Sequence, residues 1–223
     1  MTRHEPPATS HVLSGPIRKP RSGTAKQLVV LLHGWGADGP NLIDLGAAFS
    51  QVLPDAQFIA PNAPQPCEAN PYGYQWFSLM DRQPQHLLSG ARGAEKIVNH
   101  FLDAELARLK LDNGKLALVG FSQGTMVGLQ VALRRTPAIA ALVGFSGALI
   151  APDMLAKEIA ARPPVCLVHG EADEVVPFHS LKAATDALNA HGVPVESHKR
   201  PFLGHSIDME GMKIAAEFLG KVF

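Results

Sequence analysis

Gly120-Phe121-Ser122-Gln123-Gly124 sets a serine hydroxyl between two glycines, each two residues away. The pentapeptide follows the apolar run Lys115 to Val119 and opens a helix-like stretch from Gln123 to Arg134. A strand, a sharp turn and a helix in that order lift a serine out of the end of a sheet, where its hydroxyl can attack a carbonyl carbon. The glycines have a steric task, because side chains at those positions would hold strand and helix apart. Ser122 is therefore the candidate nucleophile.

A serine hydroxyl attacks only when a base takes its proton, and the base needs an acid to orient it. In this setting the order along the chain is serine, acid, histidine, each carried at the end of a different strand. The run Pro164 to Gly170 reads as a short buried strand followed by the acidic loop Glu171-Ala172-Asp173-Glu174. Asp173 is the candidate acid, with Glu171 and Glu174 as competitors in the same loop. The next strand pattern leads through Pro201-Phe202-Leu203-Gly204 to His205, the candidate base, just before a helical pattern with Ser206 at its expected cap. His198 falls inside a strand pattern and His179 opens a helix, so both rank behind His205. His33 and His169 each end a strand before a glycine and are expected to brace loops through hydrogen bonds. No histidine shows metal-ligand spacing, and neither a metal nor another cofactor is expected.

Acyl transfer also needs two backbone N–H groups where negative charge develops on the carbonyl oxygen. One candidate is Gln123, directly after the serine and at the positive end of the following helix. The other is Trp35, in the loop His33-Gly34-Trp35-Gly36-Ala37-Asp38-Gly39 after the strand Gln27 to Leu32. Together these residues describe a two-step acyl transfer through an acyl-enzyme.

The elements that must hold them alternate between short apolar runs and amphipathic helices. Strands are expected at Gln27 to Leu32, Ala56 to Ala60, Lys115 to Gly120, Ile139 to Phe145, Val165 to Val168 and Val193 to Lys199, and helices at Leu42 to Val52, Ala91 to Leu109, Gln123 to Arg134, Ser180 to Ala190 and Ser206 to Val222. Such alternation predicts an α/β fold with a mostly parallel sheet covered on both faces. Residues 25–223 read as one domain, and residues 1–24 as a mobile lead with an edge strand near Val12 and Leu13. The stretch Ala60 to Gln85 is too long for a plain connection; its Tyr72, Tyr74, Trp76, Phe77, Leu79 and Met80, with Trp35, are expected to line an acyl-binding cleft. Ser146 to Pro163 is too short for a large cap domain, so the cleft should be shallow and open.

The chain has 223 residues, 46% hydrophobic, with 20 basic against 20 acidic side chains, and this neutrality implies neither a nucleic-acid nor an anionic-membrane partner. Cys67 and Cys166 lie in unlike contexts and are expected as free thiols, which suits a cytoplasmic setting. No apolar run reaches membrane-spanning length. Self-association into a homodimer is left open.

Four stretches resemble the phospholipase/carboxylesterase family of α/β-hydrolases, which includes bacterial carboxylesterases and acyl-protein thioesterases: Leu32 to Gly39, Gly120 to Gly124, His169 to Pro177, and Gly204-His205. The resemblance implies an α/β-hydrolase fold without a large cap. It places nucleophile, acid and base on Ser122, Asp173 and His205 and the oxyanion donors on the amides of Trp35 and Gln123. Members often carry leucine at the position of Trp35 and glycine at that of Thr125. The implied activity is a serine carboxylesterase acting on short-to-medium acyl esters. Acyl-protein thioesterase or lysophospholipase action on longer chains is the alternative, and a non-catalytic ligand-binding protein of the same fold is the rival from another class.

Overall fold

The computed structural model describes residues 13–223. In chain order the strands are β1 (Ile17–Arg18), β2 (Gln27–Leu32), β3 (Ala56–Ile59), β4 (Gln65–Pro66), β5 (Tyr74–Gln75), β6 (Leu116–Phe121), β7 (Ala141–Phe145), β8 (Val165–Gly170) and β9 (Val195–Arg200). The helices are α1 (Gly39–Ile43), α2 (Leu45–Phe49), α3 (Pro84–Leu109), α4 (Gln123–Ala132), α5 (Leu155–Glu158), α6 (His179–Ala190) and α7 (Met209–Val222). Seven strands form one sheet in the order β1-β3-β2-β6-β7-β8-β9, parallel throughout except for β1, which runs antiparallel to β3.

Side chains alternate between the faces of a strand, so an uninterrupted apolar run must be covered on both sides. In β2, Leu28, Val30 and Leu32 enter one core cluster, with residues of α3, α4 and α6, while Val29 and Leu31 enter a second with residues of α1, α2 and α7. β6 repeats the pattern with Leu116 and Leu118 against Ala117 and Val119. Each fully buried leucine contributes about 1.5–3 kcal/mol by leaving water.

Local chemistry moves several element ends from their expected places. The helix expected over Leu42 to Val52 is two short helices meeting at Asp44; the first starts early because the Asp38 carboxylate accepts from Asn41 N and proline stands in its first turn. Pro84 likewise opens α3 well before Ala91. The cap of α7 is Asp208, whose carboxylate accepts from Gly211 N, and not Ser206.

The expected mobile lead needs correction where it is described. Val12 lies outside the described residues, but the edge strand falls at Ile17–Arg18, Leu13 is buried, and Asn62 N and Ala60 N donate to Ser14 O and Pro16 O at 2.9 and 3.1 Å. A side chain on Gly15 would place its Cβ 2.0 Å from Ala60 O. Backbone pairing with β3 and the missing Cβ together hold this segment against the sheet. Gly15→Val should therefore cost about 1–3 kcal/mol of stability, since the clash is with backbone that must shift. Urea unfolding tests this, and an unchanged midpoint would show that the segment is dispensable to the domain.

Candidate active site

Ser122 sits between β6 and α4 with φ +54 and ψ −116, a backbone conformation that a side chain disfavours. Such strain costs on the order of 1–3 kcal/mol and persists only when its surroundings enforce it. Here Ser122 N donates to Phe145 O at 2.9 Å, and Thr125 N and Met126 N donate back to Ser122 O at 3.0 and 3.2 Å. The flanking glycines make the close passage possible: a Cβ on Gly120 would lie 2.5 Å from Gly124 backbone atoms, and one on Gly124 only 1.8 Å from Leu32 O. Thr125 donates its hydroxyl to Phe145 O at 2.8 Å, so this carbonyl holds the turn twice.

Asp173 and His205 come from loops laced together beyond the ends of β8 and β9. Glu171 N donates to Arg200 O at 2.9 Å and Ala172 N to Leu203 O at 3.0 Å. A Cβ on Gly170 would stand 2.2 Å from Leu203 O, so the missing side chain lets the loops meet. His205 Nδ1 lies 2.8 Å from Asp173 Oδ2, while Oδ1 accepts from Val175 N and Val176 N, both at 2.9 Å. Burial pushes the Asp173 pKa up, but the bonds from His205, Val176 and Val175 outweigh it and hold the carboxyl below its ordinary range. The pairing leaves Nε2 of His205 as the ring nitrogen without a partner among the described residues, and the Phe121 ring packs 4.9 Å from the imidazole. Glu171 is committed to Lys199 at 3.0 Å and Glu174 is exposed, so neither competes with Asp173 for the histidine.

The loop after β2 passes over Ser122, since a Cβ on Gly34 would lie 3.3 Å from Ser122 Cβ. His33 is fully buried; its Nε2 accepts from Ala63 N at 2.9 Å, which leaves the proton on Nδ1 to donate to Gly34 O at 2.8 Å. A peptide's C=O and N–H point in opposite directions. Holding Gly34 O therefore aims the Trp35 N–H. Neither that amide nor Gln123 N has an acceptor among the described residues, which is the state required of donors to an incoming oxyanion. The Gln123 side chain instead faces the core, where it accepts from Trp76 N at 3.0 Å and donates to Phe77 O at 2.7 Å.

Ser122 and His205 border one cleft of about 390 Å³, whose wall includes Trp35, Leu79, Phe121, Met126 and Val176. Of the loop residues expected there, only Leu79 reaches it. Trp76 and Phe77 are core residues, because the indole N–H donates to His33 O and Gln123 clamps the backbone of both. Tyr74 packs against the same core and pairs with Ala37. Tyr72 and Met80 project into solvent, 90% and 68% exposed. A second groove of about 460 Å³, beside Trp76, Phe77 and His86, contains none of Ser122, Asp173 and His205. The sequence reading missed Phe121, Met126, Val175 and Val176. Their signal was adjacency, since the residues just before the serine, one helical turn after it, and just after the acid must sit beside the reacting atoms.

A parallel sheet carrying a serine on a strained turn, with an aspartate–histidine pair beyond later strands, defines the chain as an α/β-hydrolase of the serine type. The profile of the phospholipase/carboxylesterase family matches residues 17–223, and the chain belongs to that family. It is 29% identical over 201 residues to esterase YpfH of Escherichia coli K12, covering 87% of this chain and 82% of the relative. Acyl-protein thioesterase 1 of Schizosaccharomyces pombe is 29% identical over 202 residues, covering 85% and 88%. Among solved structures, the crystal structure of esterase PE8 shares 41% identity and superimposes with a TM-score of 0.91 over 95% of this chain and 99% of its own. No helix among the described residues is long and apolar enough to cross a membrane.

The His33 geometry has a pH signature. Burial holds its pKa below the ordinary 6.5, only partly offset by the Gly34 carbonyl and Asp38. The unfolded chain binds a proton there that the folded chain resists, so this contribution is full above about pH 6.5 and declines as pH falls below it. His33→Gln should flatten the fall in stability between pH 7 and pH 5. Urea midpoints across that range decide the matter, and parallel curves for both proteins would show that His33 is not held neutral.

Proposed function

We propose that the protein is a serine carboxylesterase that hydrolyses short-to-medium acyl esters through an acyl-enzyme. One observation carries the reading: the cleft that holds Ser122 on its strained turn is also bordered by His205, whose other ring nitrogen is bonded to Asp173. In the first step Ser122 Oγ attacks the ester carbonyl carbon while His205 Nε2 takes the hydroxyl proton. Asp173 keeps the imidazole in the required tautomer and stabilises the imidazolium. The amides of Trp35 and Gln123 donate to the tetrahedral oxyanion. His205 returns the proton to the departing alcohol as the C–O bond breaks, and water activated by the same nitrogen then releases the acid and restores Ser122.

A mostly apolar cleft of about 390 Å³ supports small soluble esters as substrates. The relatives named acyl-protein thioesterases favour a second reading, hydrolysis of thioesters on longer acyl chains. Both use the same residues, and an ester and thioester series of rising chain length separates them. Two free, buried cysteines support a cytoplasmic setting.

Ser122→Ala should abolish covalent labelling by a fluorophosphonate and lower turnover by several orders of magnitude while the fold persists. Label on another serine, or retained turnover, would remove the assignment and revive a non-catalytic binding role. Asp173→Asn should cut kcat by about three to four orders of magnitude with little change in KM, whereas Glu171→Gln and Glu174→Gln should act weakly.

Trp35 tests the acyl wall. Its indole N–H donates to Gln75 Oε1 at 2.8 Å, which fixes the ring at the cleft border, while its catalytic contribution is the backbone amide. Trp35→Leu should keep activity on short esters within about tenfold, well short of the loss expected from removing an oxyanion donor. Medium-length chains should gain relative to short ones as indole volume is vacated. An unchanged length profile would show that the ring does not bound the acyl group, and collapse on every ester would show that it holds the oxyanion loop itself.

A further inference from the structure

His169 takes no part in the steps above, yet its ring is buried directly against the acid. It stands near the end of β8 with its side chain 1% exposed. Its Nε2 lies 2.9 Å from Val176 O and 3.3 Å from Asp173 Oδ2. The Val176 carbonyl is an acceptor, so Nε2 carries a proton and donates it there, with the Asp173 carboxylate alongside. Asp173 Oδ2 thus lies between two imidazoles, that of His205 at 2.8 Å and that of His169, while Oδ1 takes the two amides of Val175 and Val176.

The donors differ in what they are attached to. The amides of Val175 and Val176 belong to the acid loop and move with it, and His205 belongs to the base loop. His169, which donates to Val176 O, is instead rooted in the sheet: β8 is paired with β7 on one side and β9 on the other, with His169 in register opposite Lys199. The Phe178 ring meets the imidazole edge-on at 6.1 Å, and the bond to Val176 O also ties down the far end of the acid loop. From these contacts we infer that His169 is a positioning residue: by holding Val176, whose N–H donates to Asp173 Oδ1, it anchors the carboxylate to the sheet that carries Ser122 and sets the plane in which Oδ2 meets His205. The inference rests on the triad reading proposed above.

An outer partner that orients a functional ligand typically matters by about ten- to a hundredfold. His169→Leu should accordingly lower kcat about ten- to thirtyfold for a short ester and leave KM within about threefold. In His169→Gln the side-chain nitrogen stands about as far from Cα as Nε2 does, so it should restore kcat to within about threefold of the parent. The amide of His169→Asn falls short of Val176 O and should behave like the leucine variant, which preserves the comparison if leucine prevents folding. Proton NMR supplies a readout that a merely structural role would not move. The low-field resonance of the His205 Nδ1–H bonded to Asp173, assigned by its loss in Asp173→Asn, should shift or broaden in the leucine or asparagine variant and return in the glutamine variant.

Equal kcat losses for glutamine and asparagine, or an unmoved resonance alongside a lowered thermal midpoint, would overturn the inference. Fluorophosphonate labelling distinguishes that failure from failure of the triad reading. If Ser122 of the parent is labelled while the leucine or asparagine variant is labelled at the same rate, only the role of His169 falls; if Ser122 of the parent is not labelled, the triad reading falls first.

Discussion

The approach of α4 to β2 is the constraint on which the site depends. With no side chain on Gly124, the first turn of α4 lies against Leu32 O, where a Cβ would come within 1.8 Å of that oxygen. Gly120 allows the matching approach on the β6 side. The strained turn at Ser122 follows from this geometry, because strand and helix so close together leave one residue to reverse the chain. The same contact brings the loop after β2 beside Ser122, so that loop and the hydroxyl owe their juxtaposition to two absent methyl groups. Packing at protein density makes this reliable, since neighbouring backbone cannot give by an ångström without disturbing both strands.

Around that point the molecule uses buried polar groups to connect loops to the sheet. His33 links the loop after β2 to Ala63, and the Gln123 side chain links α4 to the backbone of Trp76 and Phe77. Buried polar groups left unpaired would cost about 1–3 kcal/mol each, so each bond specifies a single loop position as well as contributing to stability. The long segment from residue 60 to 85 illustrates the result. Its β4–β5 hairpin is joined to the loop after β2 through Gly36 N to Tyr74 O at 2.9 Å and Tyr74 N to Ala37 O at 2.8 Å. It supports the site from behind more than it walls the cleft.

How much was legible in the sequence follows from whether the cause was local. The turn at Ser122 was readable because the glycines, the strand and the helix are contiguous. The parallel sheet was readable because a run such as Leu28 to Leu32 has no polar face to offer water. The aromatic residues of the long loop were misread, because composition reports that a side chain is apolar and does not say towards what it turns. Trp76 and Phe77 turn inward because Gln123, far away in sequence, satisfies their backbone. The Asp208 cap displaced Ser206 for a similar reason: its carboxylate also pairs with Arg200 at 3.0 Å, a contact across the end of β9 invisible to local pattern. The sheet edge at Ile17–Arg18 was hidden by the proline and glycine content of its neighbours, although Gly15 is what lets that segment lie flat on Ala60.

Thr125 carries a consequence for how this sequence can change. Its side chain fills the room that a Cβ on Gly144 or Gly147 would need, at 2.5 and 2.3 Å respectively. Threonine at one position and glycine at the other two therefore form a linked set, and contacting positions of this kind do not act additively. With Thr125 in place, alanine at 144 or 147 would clash beneath the serine turn; exchanging Thr125 for glycine would remove that clash and give up the hydroxyl bond to Phe145 O, but would leave close approaches to Leu167 Cδ2 at 3.0 Å and Ser122 O at 3.1 Å. Thr125 must therefore give way before either glycine can, so the order of substitution at these three sites is constrained by one methyl-bearing side chain beneath the nucleophile's turn.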